Sequence, residues 1–294
     1  MRGSRSRAAR PRASGYAFVA PYVALLIAVG IYPVGYAIDL ALTSFTGHFT
    51  GAANFVGALH NPNFVPAVEN VATFLGIWLT ALVVFVVGLS LILHSFHRRV
   101  AAAFRFVLYL PAALAGSASV MLWLFMLQPG KSPWSFVLSR LGYHSLGESL
   151  APAHLPVIFA LIAFWSGAGA WIVVMYGALA TIPDEVLESA RLDGAGAWRT
   201  AVSVKLPLIK RWVAYMVVGA FAAGSQLFVE PQLVTEATGS VVNATWSPNQ
   251  LAFYLSFRLD NFNYAAAIWI DLLVAALICA ALVLLRTRLF EVGH

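Results

Sequence analysis

The sequence contains a single cysteine, Cys279, which excludes a disulfide framework and any cysteine-based metal site. Charge is also scarce. Asp, Glu, Lys and Arg make up 10% of the chain, against about 25% in soluble domains. Hydrophobic residues make up 61%, more apolar surface than a soluble core of this size can bury, so the excess must face lipid. Signatures of catalysis are missing too. The seven histidines are scattered without H-E-x-x-H spacing, and no metal centre is proposed. Gly130-Lys131-Ser132 mimics the end of a phosphate-binding loop, but the glycine required five positions earlier is Phe125. No motif for ATP hydrolysis is present, so the chain reads as something other than an enzyme. No fixed-period repeat is visible, and the only biased segment is the Arg/Ser/Ala-rich start.

Long apolar runs dominate what remains. A helix rising 1.5 Å per residue needs about 20 apolar residues to cross a hydrocarbon core of about 30 Å. Five runs qualify, at about residues 16–42, 70–93, 106–127, 155–182 and 264–285. A sixth, about 212–229, is shorter and is interrupted by Gly219, Gly224, Ser225 and Gln226, so it is expected to face other helices rather than lipid. The first run is longer than the 7–15 residues of a signal-peptide core and is expected to be a retained span. The predicted fold is an all-α membrane protein of six transmembrane helices, with a basic tail over residues 1–14 and a transmembrane body over 15–294. Intervening stretches at about 47–66, 128–154 and 230–262 read as loops and short helices.

Basic residues mark the cytoplasmic side of such a bundle. Fifteen of the eighteen Lys and Arg fall in the amino terminus, the second-to-third connection, the fourth-to-fifth connection and the tail. Only Lys131, Arg140 and Arg258 lie on the other side. Both termini and the long basic loop are therefore expected in the cytoplasm of a cell-membrane protein. The net charge of +6 is a topology signal, not a nucleic-acid patch.

The connection at about 183–209 is built to fold. Pro183 suits a first helical turn, and Asp184 and Glu185 place negative charge at the positive end of the helix. Asp193-Gly194 breaks that helix, with Asp193 available to cap the next one and Gly194 free to take backbone angles denied to other residues. A second short helix, about 197–204, is predicted to end at Leu206-Pro207, where proline lacks a donor. The expectation is a compact helix-turn-helix presenting Val186, Leu187 and Ala190 to a partner.

Three elements of this loop, Glu188-Ser189-Ala190, Asp193-Gly194-Ala195 and Leu206-Pro207, resemble the EAA loop of permease subunits in binding-protein-dependent ATP-binding-cassette importers. Ser189 stands where the family has a second alanine. Residues 20–33 and 104–111 and the run Phe262-Asn263-Tyr264-Ala265-Ala266-Ala267 are similar to stretches of the maltose-type sugar permeases. After the fifth span the family often shows a Thr-Gly-Gly-Gly-Pro-like turn, where residues 234–239 read V-T-E-A-T-G. The resemblance implies the type I importer permease fold and a loop that docks into an ATPase subunit. It also implies ATP and Mg on that separate subunit rather than on this chain, a second permease subunit, and an extracytoplasmic solute-binding protein that delivers a sugar or related solute.

Ionisable groups inside a span usually face protein or water. Asp271 lies within the last run, and Gln226 and Glu230 stand one turn apart on the irregular fifth. Amides and carboxylates suit sugar hydroxyls, so these three are the candidate solute-pathway residues, with Asp271 equally suited to bonding a neighbouring helix. A self-sufficient secondary transporter or channel is the alternative; that class should show internal halves or an embedded ionic relay, and neither is evident.

Overall fold

The structure, a computed structural model, describes residues 13–287 apart from 115 and 240. The expected basic tail therefore lies outside the described residues, except for its last two positions. Among the described residues there are no strands, only helices and one isolated bridge between Thr43 and Phe49. Five helices are long and apolar enough to cross a membrane: Phe18–Leu42, Phe64–His94, Leu155–Leu179, Ala197–Ala237 and Phe262–Leu282. A bent pair, Arg98–Leu114 and Ser117–Met126, supplies the sixth span.

These six match the predicted order, but three differ from their expected form. The second helix begins at Phe64 rather than at residue 70 because Pro66 falls in its first turn, where a missing N–H costs nothing. The third is not straight. Its two helices meet at 99°, with Pro111 in a 3₁₀ turn and Gly116 at φ 81° at the start of the second helix. The fifth is the largest correction. Its helix starts at Leu206 and stops at Gly224, and after a break at 225–228 a separate helix, Val229–Ala237, follows.

The fourth span is the axis of the bundle. Phe159, Ile172, Met175 and Leu179 are fully buried along it, and it packs on the second, third and fifth spans. Close approach is built into the crossing with the third span: a Cβ on Gly169 would lie 2.2 Å from the Leu108 carbonyl oxygen and 2.7 Å from Tyr109 Cα. In lipid, small residues at crossings let backbones pack directly. Gly224 is likewise packed under Trp78 and Leu75, and Gly219 under Trp171, as expected for a span that faces protein.

A second apolar cluster at the far end joins the first and sixth spans to the helices Ala53–Leu59 and Pro248–Leu259. Its polar fastening is specific. Asn263 donates to the carbonyls of Leu40 (3.0 Å) and Thr43 (2.8 Å), and Asn54 to those of Ala41 (2.9 Å) and Thr43 (2.8 Å). These carbonyls belong to the end of the first span, where the helix has no partners of its own to offer. The connection after the third span forms short helices as well. Ser145 and Glu148 make a capping box, and the backbone N–H of His144, at 2.6 Å, holds the Glu148 carboxyl below its ordinary range.

The Gly169 crossing yields a paired test. Gly169→Ala should lower stability by about 1–3 kcal/mol, the usual cost of overpacking, as read by thermal unfolding in detergent. Gly167→Ala, whose Cβ would meet nothing within 4 Å, should leave the midpoint unchanged or raise it. Equal midpoints for the two variants would contradict the direct backbone packing.

Candidate functional site

The loop between the fourth and fifth spans folds as a capped helix followed by a continuous helical run. The first helix is Asp184–Leu192, with Asp184 and Glu185 in its first turn and Pro183 immediately before it. At its end, Gly194 takes φ 72°. The Gly194 N–H bonds the Arg191 carbonyl, and the Ala195 N–H bonds the Ala190 carbonyl, both at 3.0 Å. This pair of bonds is the Schellman arrangement, in which a left-handed residue turns the chain back onto the last carbonyls. The motif residues Ala190, Gly194 and Ala195 are thus the parts of one helix stop. Ser189 fits in place of alanine because its hydroxyl is satisfied within the helix, donating to the Glu185 carbonyl at 2.8 Å.

Two expectations about this loop need correction. Asp193 does not cap the next helix. It closes the first one, its N–H bonding the Ser189 carbonyl at 3.0 Å, and Gly196 occupies the next cap position without a side-chain bond. Leu206-Pro207 does not end the second helix either. Ala197–Arg199 passes into a π-helical turn, Thr200–Lys205, and then directly into Leu206–Gly224. Proline in a regular helix clashes with the carbonyl four residues back and leaves it unbonded; the wider π turn ahead of Pro207 absorbs that mismatch.

The apolar face that the loop presents also differs from the predicted one. Leu187 and Ala190, 8% and 9% exposed, are turned inward, and their helix packs against the π turn. Outward stand Leu192 at 89% and Trp198 at 82%, with Val186 at 39%. Glu188, Ser189, Asp193 and Gly194 are exposed beside them. Helical phase carried the missing signal: at 100° per residue, Leu192 lies about 140° around the helix from Leu187, so the two cannot share a face. Leu192 and Trp198 are thus the most exposed large apolar side chains of this loop.

The three candidate pathway residues are not brought together. Gln226 lies exposed in the break at 225–228, and Glu230 sits in the first turn of Val229–Ala237, which packs on Ser117–Met126. Asp271 stands in the sixth span, which packs instead on the first and fifth spans and on the helices Ala53–Leu59 and Pro248–Leu259. It lies nine residues into its helix, about 14 Å along the axis. Its Oδ2 is buried without a hydrogen-bond partner among the described residues. A cavity of about 200 Å³ near the far end is lined by other residues, among them Asn63, Asn70, Asn243, Thr245 and Trp246. Its wall is held by Gln250, which is fully buried. That side chain accepts from the Trp246 N–H at 3.2 Å and donates to Thr235 Oγ1 at 3.0 Å, while Asn70 donates to the Trp246 carbonyl at 3.0 Å. Isolated amides carry no sequence periodicity, so nothing in the sequence singled these out.

Comparison with known proteins agrees with this architecture. The chain is 28% identical over 299 residues to the diacetylchitobiose uptake system permease protein NgcF of Streptomyces coelicolor, covering 95% of this chain and 83% of that one. It is 25% identical over 263 residues to the lactose transport system permease protein LacF of Rhizobium radiobacter, covering 87% of each. It is 29% identical over 211 residues to the sn-glycerol-3-phosphate transport system permease protein UgpA of Escherichia coli O157:H7, covering 68% of this chain and 69% of that one. Among solved structures, a chain of a bacterial alginate ABC transporter, in complex with an alginate pentasaccharide-bound periplasmic protein, superposes with a TM-score of 0.79 at 20% identity, over 96% of both chains. The profile of the binding-protein-dependent transport system inner membrane component family matches residues 85–291, and the chain belongs to that family of multi-pass permease subunits.

Proposed function

We propose that this permease subunit conducts a sugar or sugar-like, hydroxyl-rich solute, delivered by an extracytoplasmic binding protein, and that its 184–207 loop is the element through which a separate ATPase subunit drives the cycle. The loop's geometry carries this reading. A lever has to be short, stiff and exposed, and here a Schellman-capped helix, a π turn and the fifth span form one continuous body with Leu192 and Trp198 displayed. Glu188, Ser189, Asp193 and Gly194 border the docking surface; Ala190, Ala195, Leu206 and Pro207 set its shape. ATP and Mg²⁺ are assigned to the ATPase partner. A second permease subunit completes the pathway by covering apolar faces such as that of the first span, whose most apolar stretch has no buried residue. The 15-to-3 distribution of Lys and Arg supports cytoplasmic termini and a cytoplasmic loop.

Solute class rests on two supports. Two of the relatives are named for saccharides and the third for a polyol phosphate; hydroxyl groups are the chemistry these share. Asp271 has a carboxylate oxygen inside a span with no partner among the described residues, and we assign it one in the solute or the facing subunit. Gln226 and Glu230, at the break in the fifth span, sit where a discontinuous helix leaves side chains and backbone free for a solute.

Two outcomes follow. Gly194→Val forces a β-branched side chain into the left-handed region, whereas asparagine tolerates it. Stimulation of ATP hydrolysis by the binding protein in the reconstituted importer should fall at least tenfold in Gly194→Val and stay near wild type in Gly194→Asn, with both chains inserted normally; equal activity of the two would refute the lever. Asp271→Leu removes a group costing about 2.5–3.5 kcal/mol in a span, so the chain should become more stable in detergent while solute accumulation is lost. Retained accumulation would remove Asp271 from the pathway.

A further inference from the structure

Lys205 is a buried lysine, 9% exposed, in the π turn of the loop. Lysine is almost never fully buried unless paired, and the group facing this one is not a carboxylate. Its Nζ lies 3.0 Å from Nδ1 of His94, the last residue of the second span, 111 positions away in the chain. An ammonium has only donors, so His94 Nδ1 must be the acceptor and the imidazole must be neutral. The ring also lies against Tyr176 of the fourth span, tilted at 54° with centroids 5.8 Å apart. The guanidinium of Arg105, from the third span, covers that Tyr176 ring at 3.7 Å from its centroid. Three spans and the loop therefore meet around one imidazole.

We propose that the Lys205–His94 hydrogen bond is the strut that passes loop movement to the second span, and that protonation of His94 releases it. The inference rests on the coupling role given to the loop above. The loop is joined by chain continuity to the fourth and fifth spans only, so a link to the second must be made through side chains. That link matters because the second span runs continuously from Phe64 to His94 through a π turn at Leu82–Val86, about 46 Å long. Asn70, near its far end, lines the cavity and holds Trp246. Movement at His94 thus reaches the opposite end of the bundle along one continuous span. Protonation of Nδ1 would remove the acceptor and set two cations 3.0 Å apart. The other charges in the cluster do not restore the bond: Arg191 acts on Lys205 with the same sign, Arg105 is held on Tyr176, and Asp184, which favours a charged His94, belongs to the loop itself.

The test uses the complete importer in nanodiscs, reading ATP hydrolysis with and without its binding protein from about pH 8 down to about pH 4.5, a range that extends well below ordinary imidazole titration. His94→Leu should reduce stimulation roughly tenfold, the scale of an orphaned buried charge, while the subunits still copurify. His94→Asn, whose Oδ1 occupies the place of Nδ1 as an acceptor, should keep most of it. Wild type should lose stimulation on acidification, and His94→Asn, with nothing to titrate there, should not. Should His94→Leu fail to assemble, the double variant His94→Leu with Lys205→Met removes both polar partners and restores folding; it should assemble and stay uncoupled. Full stimulation in the double variant, or an acid response in His94→Asn like that of wild type, would overturn the strut. If Gly194→Val is inactive while His94→Leu works, the strut alone fails. If both are fully active, the coupling loop fails with it.

Discussion

A helix end inside or beside a membrane has carbonyls or amides that water is not at hand to satisfy, and the way this chain meets that requirement shapes both ends of the bundle. At the loop, Gly194 folds the backbone so that the Ala190 and Arg191 carbonyls are capped by the chain itself. At the opposite end, Asn54 and Asn263 donate their amides to the carbonyls that close the first span. One device makes a stiff projecting knob; the other ties the first span to the sixth, with little apolar burial along the rest of its length. Without the caps, the knob would fray and the first span would lose its principal anchor.

The number and order of the spans were legible in the sequence because hydrophobic run length is a one-dimensional signal fixed by bilayer thickness. The loop was legible for a related reason: Asp-Gly after an amphipathic turn can be recognised as a helix stop without knowing what lies nearby. What failed was whatever depended on phase or on neighbours. Pro207 reads as a breaker until the π turn at Thr200–Lys205 is seen to accommodate it. Leu187 reads as a docking residue until it is placed on the inward face, leaving Leu192 and Trp198 outward. The buried partner of Lys205 is 111 positions away, a distance at which no local pattern speaks. Asp271 stood out as an ionisable group in a span, but not that its neighbours would leave Oδ2 unpaired.

These features describe a machine whose moving parts are separated along the membrane normal. Charge and an exposed apolar pair are concentrated at the loop end, where the fourth and fifth spans are continuous with the knob through short, tightly bonded turns. The amide-lined cavity and its buried Gln250 support lie at the other end. Between them the fourth span, locked against the third at Gly169, gives a rigid axis about which the second and fifth spans can transmit displacement. The break at 225–228 divides the fifth span into a part joined to the knob and a part joined to the third span. In the proposed cycle, that division would let one end respond to the ATPase while the other handles solute.

The central claim is that Leu192 and Trp198 form the face gripped by the ATPase subunit. Single cysteines at 187, 192 and 198, in a chain whose native Cys279 is replaced by alanine, can be treated with a short bifunctional thiol reagent in the assembled importer carrying one cysteine in the ATPase groove. The account predicts crosslinks from 192 and 198 and none from 187. Crosslinking from 187 alone, or none from any position in an intact complex, would contradict it.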